Sequence, residues 1–83
     1  MSKVRLEFTV EPFSDGRPGR HVRAAIDAVT ARGLAVEMGP FSSSADGDGP
    51  VACDAVADLL RAALDAGASR VSLQVSVLDE AAS

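Results

Sequence analysis

The chain predicts an α+β sandwich with element order β-α-β-β-α-β, on three observations. Residues 4–10, 34–38 and 71–77 alternate apolar and polar side chains with the period of two of a half-buried strand. Two stretches between them carry apolar residues at helical spacing. Each of those stretches ends at a glycine, Gly33 or Gly67, where a left-handed residue is wanted to close a helix.

Taken in order, Val4, Leu6, Phe8 and Val10 form one face of the first strand, with Arg5, Glu7, Thr9 and Glu11 on the other. Pro12 ends it, because proline has no N–H to donate to a ladder. Residues 13–19 hold Ser14-Asp15-Gly16 and Pro18-Gly19 and read as a loop. Val22, Ala25, Ile26 and Val29 then place an amphipathic helix over about residues 18–32. Gly33 stops it, with Leu34 set to pack on Val29 as in a Schellman motif. Leu34, Val36 and Met38 make the second strand, broken at Gly39-Pro40.

Residues 41–45 read as a third strand, weak in composition because of Ser42-Ser43-Ser44, and Asp46-Gly47-Asp48-Gly49 reads as a turn. Pro50 suits the first turn of the next helix, where its missing N–H costs nothing. Val56, Leu59, Leu60, Ala63 and Leu64 form that helix's apolar stripe up to Gly67. Val71, Leu73, Val75 and Val77 alternate with Ser72, Gln74 and Ser76 in the last strand. Two similar β-α-β halves of this kind predict a ferredoxin-like sandwich, with both helices on one face of a four-stranded antiparallel sheet. The opposite face is then polar and rich in small hydroxyl and amide groups. It is open to solvent, to a ligand or to a second copy.

The 83 residues make one domain, 1–83, with a modest core. A chain this short buries only about 60–65% of its unfolded surface, and oligomerisation would relieve that shortage. Eight basic against twelve acidic residues give a net charge of −4. That opposes binding to a phosphate backbone, which draws its affinity from Lys and Arg. Cys53 is the only cysteine, so neither an intrachain disulfide nor a cysteine metal cluster can form. With no leader-like segment and no apolar run long enough to span a bilayer, a soluble cytoplasmic protein is expected.

Catalytic chemistry finds little footing. His21 is the only histidine, with no second ligand at metal spacing and no nucleophile that sequence places beside it. Arg17, Arg20, His21 and Arg23 crowd the start of the first helix, but without a glycine-rich phosphate cradle they read as a solvated basic patch. Cys53, near the start of the second helix, reads as a small semi-buried residue. Glu7, Glu11, Glu37, Asp46 and Asp48 suit a bound cation or amine better than acid–base work. Phe8 belongs to the core, whereas Phe13 and Phe41 lie beside loops, where each either stacks on a flat ring or seals the core. The most informative segment runs from Glu37 to Asp48, where three hydroxyls lead into an acidic, glycine-broken stretch that a small core does not require.

These residues resemble a known family. Gly33-Leu34-x-Val36-x-Met38-Gly39-Pro40-Phe41-Ser42-Ser43, then Asp46-Gly47, then a helix and Ala66-Gly67-Ala68-x-Arg70-Val71, look like the YkoF-like thiamine-binding proteins, over residues 4–77. Phe41 matches the family's apolar position, Ser42 and Ser43 its small and hydroxyl positions, and Asp46-Gly47 its acid–glycine pair. Ser43 stands in place of the usual Thr, Asp46 in place of the commoner Glu, and the Arg that often follows the last strand is absent. The resemblance implies a ferredoxin-like domain that binds thiamine or its hydroxymethylpyrimidine part without catalysis. It also implies homodimers or homotetramers built through the sheets.

The expected ligand site is therefore Glu37, Phe41, Ser42, Ser43, Ser44 and Asp46, with no catalytic residue, no metal and no cofactor. Its hydroxyls and acids would meet the aminopyrimidine and the thiazolium cation, and Phe41 would supply the apolar contact. The alternative reading is an oligomeric assembly or regulatory module with no dedicated small-molecule ligand. A phosphatase-type loop, an aromatic RNA-binding face and a two-cysteine copper site all lack the residues they need.

Overall fold

The computed structural model describes residues 2–12, 19–40 and 42–78. Its elements run β1 (Lys3–Glu11), α1 (Arg20–Ala31), β2 (Val36–Met38), β3 (Ser43–Asp48), α2 (Gly49–Asp65) and β4 (Arg70–Val77). The strands form one antiparallel sheet in the order β2-β3-β1-β4, which is the ferredoxin-like arrangement. β1 lies inside the sheet between β3 and β4, and its apolar face packs against both helices. Val4, Leu6, Phe8 and Val10 are all buried there.

The helices approach that face through small residues. Ala25 and Val29 of α1, and Ala52, Ala55, Leu59 and Ala63 of α2, complete the core with Leu34 and Ala45. Gly33 and Gly67 hold φ of 90° and 101°, the left-handed conformation that closes each helix. After α2 both bonds of the Schellman stop form: Gly67 N donates to Leu64 O, and Ala68 N to Ala63 O at 3.0 Å. After α1, Gly33 N donates to Thr30 O at 2.8 Å, and Leu34 enters the core beside Val29.

β2 is shorter than the sequence reading, Val36–Met38 rather than from Leu34, and the larger differences concern β3. The strand starts at Ser43 rather than at residue 41, and it continues through Asp46-Gly47-Asp48, the residues that read as a turn. Composition yields here to cross-strand pairing. Asp46 and Asp48 stand opposite Arg5 and Lys3 of β1, which neutralise them. Gly47 faces the helices, where a Cβ would come within 2.1 Å of the Leu34 side chain. Glycine is there to admit Leu34, and the chain does not turn until α2 begins.

The helices are also tied by charge. Arg32, which caps α1, donates from Nε to Asp58 Oδ2 at 2.7 Å and lies 3.8 Å from Asp54. The hydrogen bond from Arg32 holds the Asp58 carboxyl below its ordinary range. A depressed folded pKa contributes stability above the usual carboxylate range and loses it as pH falls through the folded value. Thermal melts from pH 7 down to about pH 2 should therefore show wild type ahead of Asp58→Asn at neutral pH, with the gap closing in acid.

Candidate functional site

The face of the sheet away from the helices carries the odd-numbered residues of β1 and the even-numbered residues of β3 and β4, with Glu37 from β2. Strand register sets what meets what. Lys3 stands opposite Asp48, Arg5 opposite Asp46, and Glu11 opposite Arg70, so these charges face partners of opposite sign. Glu7 and Glu37 have no such partner. Both stand directly opposite Ser44, one on each side of β3. The centre of the face is thus a row of carboxylate, hydroxyl and carboxylate across three strands.

Two depressions share this surface. One, of about 470 Å³, is lined by Arg5, Glu7, Ala35, Glu37, Ser44 and Asp46. The other, of about 300 Å³, is lined by Glu7, Phe8, Thr9, Ser42, Ser72, Leu73 and Gln74. Glu7 borders both. These sizes suit a small organic ligand. In the larger depression Arg5 lies side-on against Asp46, with Nε to Oδ1 at 2.8 Å and Nη2 to Oδ2 at 3.0 Å. That two-point hydrogen bond holds the Asp46 carboxyl below its usual range and raises the Arg5 guanidinium further above neutrality. Both groups remain charged at neutral pH, and each satisfies the other.

The structure separates the expected site residues. Glu37, Ser44 and Asp46 meet around the larger depression, and Ser42 lines the smaller one. Ser43 is buried on the helix side, opposite Phe8 and Met38. Alternation along β3 sends its side chain to the opposite face from Ser44. Phe41, like Phe13 and Arg17, lies outside the described residues. Sequence reasoning left Arg5 and Glu7 out of the site. Both were legible as polar-face residues of β1, but only the register with β3 brings them to Asp46 and Ser44.

Elsewhere, His21 hydrogen-bonds to the Pro12 carbonyl, and Cys53 is exposed rather than semi-buried. Among the described residues no group of His, Cys, Asp and Glu is placed to hold a metal ion, and no helix is long and apolar enough to cross a membrane.

Fold and surface together define a ferredoxin-like sandwich whose open sheet face carries an acidic, hydroxyl-centred depression. The chain belongs to the thiamine-binding protein family, whose model matches residues 6–82. A solved structure from Thermotoga maritima, described provisionally as a thiamine biosynthesis or salvage protein, is 30% identical. The match covers 96% of this chain and 86% of that one, with a TM-score of 0.67. A domain of unknown function from Bacillus cereus is 27% identical over 92% of this chain and 74% of that one, with a TM-score of 0.66. A hypothetical protein from Methanocaldococcus jannascii shares the fold at 21% identity and a TM-score of 0.70, covering 96% and 82% of the two chains. No curated protein matches the chain.

Proposed function

We propose that this protein binds thiamine or a hydroxymethylpyrimidine-type precursor on the open sheet face, without catalysing a reaction on it. Family membership supports the ligand class. The observation that carries the placement is the row Glu7–Ser44–Glu37, two carboxylates without charge partners on either side of a hydroxyl, in a depression of ligand size. A thiazolium cation is attracted to the carboxylates, and the exocyclic amine of the pyrimidine donates to a carboxylate or to Ser44. Ser42 extends the polar surface toward Gln74. Asp46 acts through Arg5 rather than as a free acid. A face whose unpaired charges are both negative does not suit a nucleic acid.

We also propose that the protein works as a homodimer or homotetramer. The edge strand β4 leaves Val75 and Val77 more than half exposed, and Leu64 of α2 is exposed as well. Covering such residues with a second copy adds the apolar burial that a domain of this size lacks. The competing reading, an assembly module without a ligand, predicts a dimer whose interface covers Thr9, Gln74 and Ser76. Hydrogen-exchange protection of Thr9, Gln74 and Ser76 that appears with the oligomer distinguishes the two.

Isothermal titration with thiamine and with hydroxymethylpyrimidine tests the ligand. Saturable binding is expected, and no response at millimolar ligand rules the reading out. The same titrations locate the hydroxyl. Ser44→Ala should weaken binding about fivefold to tenfold, the equivalent of one neutral hydrogen bond. Ser43→Ala, on the far side of the sheet, should change it less than twofold.

A further inference from the structure

We propose that the site is a charge filter: it takes the unphosphorylated cation and turns away its phosphate esters, and Asp46 sets that preference by occupying Arg5. This rests on the thiamine reading above. Among the described residues, Arg5 is the only cation lining the larger depression. It is also the one group there able to grip a phosphate with two parallel hydrogen bonds. Its side-on pair of donors is already committed, because Nε and Nη2 both donate to Asp46, whose charge also offsets that of the guanidinium. Of the other cations of the face, Lys3 lies 3.8 Å from Asp48, and Arg70 stands opposite Glu11 in the strand register. What the depression offers an incoming ligand is the two carboxylates beside Ser44.

A phosphate ester brings about −1.5 to −2 charges at neutral pH. Placed against Glu7 and Glu37, it meets like charge, and among the described residues the one cation beside them, Arg5, is already paired with Asp46; like-charge contacts of this kind are strongly disfavoured. The unphosphorylated cation meets net attraction, because the charge of Arg5 is offset by Asp46. The ion pair across β1 and β3 thus does more than neutralise two strands. It offsets the charge and occupies the side-on donor edge of the phosphate-gripping side chain that lines the depression.

The test compares thiamine with thiamine monophosphate by titration calorimetry. Wild type should bind thiamine at least about tenfold more tightly. In Asp46→Asn, which keeps the side-chain shape but releases the Arg5 charge, the ratio of the two affinities should shift about tenfold toward the phosphate. Adding Arg5→Gln to that variant should abolish the shift, a result that general loosening of the sheet does not produce. Equal wild-type affinity for the two ligands overturns the filter and leaves the thiamine reading standing. An unchanged ratio in Asp46→Asn removes Asp46 from it. If neither ligand binds wild type, both readings fall together. The wild-type ratio needs no variant, so the filter remains testable even if Asp46→Asn folds poorly.

Discussion

Glu7→Gln with Glu37→Gln is expected to weaken thiamine binding by about a hundredfold or more. Each single replacement should cost about tenfold, because a hydrogen bond to a charged group is worth about 1.5–3 kcal/mol and the amide keeps only its neutral part. The two residues lie on strands one either side of β3, so their backbones are about 10 Å apart at two interstrand spacings. That separation suits a two-ring cation lying across Ser44, with each end near one carboxylate. It does not suit a single small ion, which needs its ligands converging on one point.

Folding should not suffer in these variants. Neither glutamate has a directly opposite charge partner to lose, and the attraction each exerts on Arg5 acts at an exposed surface where Asp46 already pairs that residue. The melting temperature of the double variant should therefore stay close to wild type while affinity collapses. Calorimetry beside thermal melts checks both halves. A double variant that binds thiamine as wild type does would remove the carboxylate row from the mechanism.

The fold was legible in the chain because three strands alternate cleanly and two glycines stop two helices. Those are local signals, and each survives in the structure. The candidate site was only half legible, because its decisive relations are not local. Ser42, Ser43 and Ser44 look equivalent in a list of hydroxyls. Strand parity divides them, and the parity of β3 could not be assigned while Asp46-Gly47-Asp48 read as a turn. Arg5 shows the same limit. Nothing in its neighbours Val4 and Leu6 says that it will meet Asp46, 41 positions further on. Pairing register does, and register follows from the whole sheet. Acidic residues and a glycine are poor strand formers in isolation. Arg5, Lys3 and Leu34 together override that preference.

Leu59→Ala should produce the largest loss of stability. Among the residues of α2 that face the sheet, Ala52, Ala55 and Ala63 are already minimal, and Leu59 is the one large side chain that is wholly buried. Removing it opens a cavity, and buried Leu→Ala changes cost about 2.7–5 kcal/mol, most where the surroundings relax least. Relaxation here is poor, because the neighbouring alanines have no side chain to swing into the space. A domain of this length has a total stability of about 4–12 kcal/mol, so the change removes about a fifth of it at the least. At about 4–8 °C per kcal/mol for domains of this size, the melting temperature should fall by about 10 °C or more. Leu64→Ala, at an exposed position of the same helix, should shift it far less in a monomer. If a second copy covers that stripe, Leu64→Ala becomes costly too, and its cost rises with protein concentration as more of the wild type associates. Melting both variants at two concentrations, tenfold apart, therefore separates the domain's own core from an interface. A small, concentration-independent shift for Leu59→Ala would mean that α2 does not rest on the sheet through this residue.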